Sequence, residues 1–194
     1  MSRAPITSAV IVLAAVVLQS TVFAQGAPPK GRTGEKTQAP SAPVQTLEGA
    51  SLDLADVVSR KPTMLVFWAT WCPSCRRETP NFKEAHRRYS SRGLNVVAVD
   101  IGVRDSVTAV RDFVKENGLP YRVLFDPHQE AVYTYRVAAT PTVLLLDASG
   151  AIVHRGSSVD FDAIDALLAG KPIPKRPAQD ASPGGSFTRG GSGG

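Results

Sequence analysis

Two residues in this 194-residue chain have the type and spacing for a distinctive chemistry: Cys72 and Cys75, in the run Trp71-Cys72-Pro73-Ser74-Cys75. They are its only cysteines. The thiolate is the nucleophilic and metal-binding form of cysteine. Two thiols about one helical turn apart can close a disulfide with little chain movement. The run follows an apolar stretch rich in β-branched residues, Thr63–Thr70, and opens a charged one, Pro73–Arg92, whose apolar residues fall on one helical face. A strand passing into a helix there sets Cys72 at the helix N-terminus. Free N–H groups and the positive end of the helix dipole favour a thiolate at that end. Pro73 suits the first helical position.

Other chemistries fit less well. A zinc site needs two further ligands, and His86, His128 and His154 have no paired spacing. Two inert thiols would not be expected behind Trp68 and Trp71 at a strand-to-helix junction. A static disulfide across so short a loop adds modest stability, because that stabilisation grows with loop length. A C-x-x-C beside alternating strands and helices is a redox signature.

The elements that must position this pair can be read from periodicity. Leu94–Val99 reads as a second strand buried on two faces. Asp105–Asn117 reads as a helix with Val107, Val110, Phe113 and Val114 on one face, Asp105 as N-cap, Gly118 beyond its end and Pro120 as a stop. A short strand at Val123–Phe125 and a short helix at His128–Tyr135 follow. Thr142–Leu146 and Ala151–His154 flank a hairpin turn, Asp147 to Gly150. Asp160 caps a last helix with Phe161, Ile164, Leu167 and Leu168 turned inward. Strands alternating with helices give an α/β sandwich.

Outside this domain the composition changes. Residues 1–24 read as an export signal: Arg3, an unbroken apolar run Ala9–Leu18, and small residues before a cleavage after Ala24. That run is half the length of a membrane span. Residues 25–42 are rich in Pro, Gly and polar residues and read as a disordered tether. Residues 171–194 read as a Gly/Pro-rich disordered tail. The formal charge of +5 comes from these ends, since 14 basic residues face 15 acidic ones between Pro43 and Gly170. No basic face for nucleic acid is evident. An exported protein sits where disulfides persist.

The segment Phe67-Trp68-Ala69-Thr70-Trp71-Cys72-Pro73-Ser74-Cys75 resembles the active-site segment of thioredoxin-fold proteins. Its continuation Arg76-Arg77-Glu78-Thr79-Pro80 is similar to the exported TlpA/ResA/CcmG branch. The resemblance covers about residues 43–170. It implies a thioredoxin fold, with a central mixed sheet flanked by helices and a TlpA-like αβ insert near residues 103–126. It maps Pro141, in Ala139-Thr140-Pro141-Thr142, onto the family's cis-proline, and gives Thr140 the task of pairing its backbone with substrate chains. Trp71 and Pro73 would shape the docking surface, although Trp71 also fits a packing role. Glu78 would shuttle protons for Cys75; without the family it reads rather as an exposed helix carboxylate near Arg76, Arg77 or Arg111. Val66 stands where thioredoxin carries a buried Asp, which leaves Glu78 as the only obvious acid. Ser74 stands where most of the branch has proline.

The implied function is that of an exported thiol–disulfide oxidoreductase. It would reduce disulfides in exported proteins such as apocytochrome c and be kept reduced by a membrane electron donor of the DsbD/CcdA kind. No further cofactor, no metal and no nucleic acid are implied, and a monomer is expected. A disulfide donor of the DsbA type, a peroxiredoxin and a Sco-like copper-binding chaperone using His128 or His154 are the rivals.

Overall fold

The computed structural model describes residues 39–174. The chain divides into two units, Met1–Glu35 and Lys36–Gly194, and all described residues belong to the second. The expected export signal, the tether as far as residue 38 and the tail from residue 175 lie outside the described residues.

The elements run β1 (Pro43–Thr46), β2 (Ser51–Asp53), α1 (Leu54–Val58), β3 (Thr63–Trp68), α2 (Pro73–Tyr89), β4 (Asn95–Asp100), α3 (Val107–Asn117), β5 (Arg122–Phe125), α4 (Glu130–Thr134), β6 (Thr142–Leu146), β7 (Ile152–Gly156) and α5 (Phe161–Leu168). They form one seven-stranded sheet in the order β2-β1-β5-β4-β3-β6-β7. β3, β4 and β5 are parallel, while β6 and β7 add antiparallel on one side and β1 and β2 on the other. Parallel neighbours need a helical crossover, supplied by α2 and α3. The β3-α2-β4 and β6-β7-α5 halves meet where β3 pairs β6, the expected thioredoxin arrangement. The α3–β5 pair widens it as the expected αβ insert.

β3 is the central strand, and all six of its residues are buried. That is why it reads as a continuous apolar run without alternation. Its side chains still alternate between two cores. Met64, Val66 and Trp68 pack with Phe82, Tyr89, Phe113 and Ile164 of α2, α3 and α5. Leu65 and Phe67 pack with Leu54, Val58 and Tyr135 on the other face. The edge strand β7 leaves Ile152 and Val153 part exposed.

Three sequence readings change. The segment β1-β2-α1 was not apparent, because its elements are three to five residues long and too short for a periodic signal. The domain also starts earlier than Pro43: Ala39 and Ala42 are buried in the second core, and Pro40 O accepts from Tyr135 Oη at 2.9 Å. At its other end Ile173 packs against the first core. Finally, the N-cap of α3 is Ser106, whose hydroxyl accepts from Ala109 N at 3.2 Å. Asp105 is turned to other partners.

Candidate active site

β3 ends at Trp68, and the chain turns through Ala69-Thr70-Trp71 into α2. Cys72 is the N-cap of α2 and Pro73 its first residue. The expected geometry is present: Cys75 N donates to Cys72 Sγ at 3.2 Å. Cys72 and Cys75 form a disulfide with their Cα atoms 5.2 Å apart, within the usual range for such a bond. Both are buried, Cys75 completely and Cys72 to within 3%. A thiolate at Cys72 would therefore gain from the Cys75 N–H and from the dipole of a 17-residue helix.

The Thr140–Pro141 peptide is cis and lies against this pair. Thr140 O sits 3.5 Å from Cys72 Sγ. Ser74, which the sequence reading noted only as a departure, links the two loops. Its hydroxyl is 3.2 Å from Cys72 Sγ and 3.3 Å from Thr140 O, and can donate to either. Thr142 Oγ1 donates to Ala139 O at 2.6 Å and closes the turn behind Pro141. Cys72 and Cys75 are thus brought together with Thr140 and Pro141, 65 to 69 positions further along the chain.

Trp71 forms the rim. It is 39% exposed, its Nε1 donates to Val103 O at 2.7 Å, and the Arg104 guanidinium lies 5.3 Å from its ring centre. It is an anchored, half-exposed aromatic surface beside Cys72, of the kind that serves docking. Pro73 is exposed next to it.

Glu78 is half-buried and turned toward the start of α5. Its Oε1 accepts from Val159 N at 2.7 Å and its Oε2 from Asn81 Nδ2 at 3.1 Å. It is not the only acid near the cysteine loop. Asp100, at the end of β4, pairs in register with Trp68 at the end of β3 and is fully buried. Burial, with Asp105 and Asp126 facing it, pushes its carboxyl up to about 8. Asp126, also fully buried, is raised by desolvation. Sequence could not find this pair, because a lone Asp after a strand reads as a turn residue. The one available signal was Asp100 at the end of an otherwise apolar run.

A cleft of about 600 Å³ lies between α2, at Arg76, Pro80 and Lys83, and the end of α3, at Asn117 and Gly118, and neither cysteine lines it. Among the described residues no cluster of His, Cys, Asp or Glu is arranged to hold a metal ion, and no helix is long and apolar enough to cross a membrane.

Residues 36–155 match the AhpC/TSA family. The thiol-disulfide oxidoreductase ResA of Bacillus thuringiensis (strain Al Hakam) is 36% identical over 118 residues, which are 61% of this chain and 66% of that protein. ResA of Bacillus subtilis (strain 168) is 31% identical over 124 residues, 64% of this chain and 68% of that one. The chain therefore spans about two thirds of the length of these curated relatives. Among solved structures, a secreted Mycobacterium tuberculosis disulfide oxidoreductase homologous to E. coli DsbE superposes with a TM-score of 0.55 at 25% identity, covering 71% of this chain and 98% of that one.

Proposed function

Since the chain belongs to the AhpC/TSA family and aligns with ResA proteins along its folded domain, we propose that it is a thiol–disulfide oxidoreductase of the ResA/DsbE type, acting through Cys72 and Cys75. The observation that carries this reading is the Cys72–Cys75 disulfide at the N-terminus of α2, against the cis Thr140–Pro141 loop. A peroxidatic mechanism does not need the second cysteine at this spacing, and a Sco-like copper site lacks a ligand cluster among the described residues.

In the reduced protein, Cys72 thiolate attacks one sulfur of a substrate disulfide. A bond forms between Cys72 Sγ and that sulfur, and the other substrate sulfur leaves as a thiolate and takes a proton. Cys75, deprotonated, then attacks Cys72 Sγ. The mixed disulfide breaks, the second substrate thiol is released, and the Cys72–Cys75 disulfide holds the two electrons' worth of oxidation. Glu78, one turn beyond Cys75, is the proposed acceptor of the Cys75 proton. The backbone of Thr140 is the proposed pairing site for an extended substrate segment, as in strand addition to an open edge. Trp71 and Pro73 form the surface on which that segment rests.

The direction we propose is reductive, on disulfides of exported proteins, apocytochrome c among them. The electrons would come from a membrane donor of the DsbD/CcdA kind. The setting is the periplasm or cell exterior after removal of residues 1–24, and the protein acts as a monomer. Equilibration of the pair with defined thiol buffers tests the direction. A potential near −270 mV, as in thioredoxin, is expected; one near −120 mV, as in DsbA, would make the chain a disulfide donor.

A further inference from the structure

Every polar group of Thr70 is held. Its N–H donates to Asp105 Oδ2 at 2.9 Å and its hydroxyl to Asp105 Oδ1 at 2.5 Å, across 35 residues of sequence. Its carbonyl accepts from Arg76 Nε at 2.7 Å. An anion on one side and a cation on the other therefore clamp the peptide two residues before Cys72. The anion comes from the loop before α3, so the insert reaches back to the cysteine loop.

Asp105 also has a buried acidic neighbour, Asp100. Asp100 Oδ1 accepts from Gly102 N at 2.9 Å, while Oδ2 is buried and accepts from no N–H or O–H donor among the described residues; the Asp105 carboxylate is the acceptor a protonated Asp100 can reach. The groups facing Asp100 are the carboxyls of Asp105, from the loop before α3, and Asp126, from the end of β5. The indole of Trp68 stands beside it on β3, and the cation Arg76 lies beyond Thr70 on α2.

We propose that Asp105, backed by the buried carboxyl of Asp100, is a positioning residue that holds Thr70 and so fixes how Cys72 enters α2. This rests on the reading of Cys72 as the attacking sulfur. The thiolate is stabilised only while Cys72 Sγ faces the Cys75 N–H and the helix axis. Thr70 sets that approach, since the chain between it and Cys72 is the single residue Trp71. With Asp100 protonated, its O–H is a donor turned toward an acceptor carboxylate, and the pair is cohesive. With Asp100 ionised, its charge stands against that of Asp105, with the more remote charge of Asp126 adding to the repulsion, and the hold on Thr70 weakens.

The test uses the full chain carrying Cys75→Ser, so that Cys72 is the only thiol, and reads its rate of alkylation by iodoacetamide. Asp105→Ala is expected to slow the reaction about tenfold at pH 7, since it removes two charge-assisted hydrogen bonds from Thr70. Thr70→Val is expected to slow it about threefold, and the double variant to be no slower than Asp105→Ala, as for two changes to one interaction. Asp105→Asn, which keeps an acceptor for the Thr70 N–H, is expected to recover most of the rate. An unchanged rate in Asp105→Ala, or effects of the two variants that multiply, overturns the proposal. Should Asp105→Ala not fold, Thr70→Val decides alone, and an unchanged rate there overturns it equally.

The part played by Asp100 is read in the oxidised full chain, where no thiol titrates. Tryptophan fluorescence, from Trp68 and Trp71, should pass through a transition near pH 8 that Asp100→Asn abolishes. A flat profile, or a transition removed by Asp126→Asn and kept in Asp100→Asn, overturns that part. Neither readout uses a protein substrate, so failure of the reductase reading and failure of this one are separable.

Discussion

At Cys72 the deciding contacts come from backbone and small side chains. The Cys75 N–H and the Ser74 hydroxyl both lie 3.2 Å from Cys72 Sγ, and both favour a thiolate over a thiol. Cys75 is fully buried at the same helix end and can reach only its partner sulfur. Replacing Cys75 by Ser should therefore leave attack intact and remove resolution. A covalent complex with a disulfide-bonded substrate should accumulate, visible on a non-reducing gel and absent from Cys72→Ser. Glu78→Gln should slow resolution several-fold, as loss of a proton acceptor does; an unchanged rate would leave Glu78 as an anchor for Val159 N–H alone. Asp100 makes a prediction of opposite character, about stability. Its carboxyl holds a proton up to about pH 8 in the folded protein, while in the unfolded chain it loses it near pH 4. Between those values the folded state binds more protons, so stability falls as pH rises, by up to about 1.4 kcal/mol per pH unit. Urea unfolding at pH 5, 6 and 7 should show this decline, and Asp100→Asn should lose most of it, with Asp126 left to supply the remainder.

The connection from β4 to α3 is the element on which the cysteine loop leans. It turns through Gly102 at a φ of +68°, where an added Cβ would lie 2.2 Å from Asp126 O. Gly102→Ala therefore meets both an unfavourable backbone region and a rigid carbonyl. It should cost more than about 1 kcal/mol in urea unfolding and displace the loop that carries Asp105. Ser106 then caps α3, and Ser106→Ala should cost about 1 kcal/mol, the usual loss of a hydroxyl N-cap. The two differ in reach. The Ser106 change weakens a helix end, whereas the Gly102 change also disturbs the acids behind Thr70, so only the latter should alter Cys72 reactivity.

Across the whole molecule, the sheet order brings residues distant in sequence to one edge. The active face lies where β3 and β4, running parallel, deliver Thr70 and Asp105 and where Pro141 leads into β6. The opposite side is closed by residues ahead of β1. Ala39 and Ala42 fill the second core, Ala42 O accepts from Leu54 N, and Pro40 O accepts from the buried Tyr135 hydroxyl. A chain begun at Pro43 exposes that core and leaves Tyr135 Oη without its acceptor. It should be about 2–4 kcal/mol less stable than one begun at residue 36. Equal urea midpoints for the two would show that these contacts contribute little.

Local chemistry made much of this legible from the residues alone. The uninterrupted apolar run of β3, the Cys-Pro-Ser-Cys that follows it, the Gly118 that ends α3 in a left-handed turn and the Asp160 cap each act within a few residues of themselves, so their order in the chain carries their meaning. Resemblance added the Thr140–Pro141 loop, which no periodicity marks. What folding alone decided are the pairings across long separations. Asp105 had the composition of an N-cap, yet its partner is Thr70, 35 residues away, and the cap fell to Ser106. Asp100 and Asp126 carry no sequence motif of a site, and it is the parallel register of β4 and β5 that buries both, Asp100 beside Trp68 at the end of β3. A carboxylate's role is set by what surrounds it in space, through desolvation and neighbouring charge, and those surroundings exist only once the sheet has assembled.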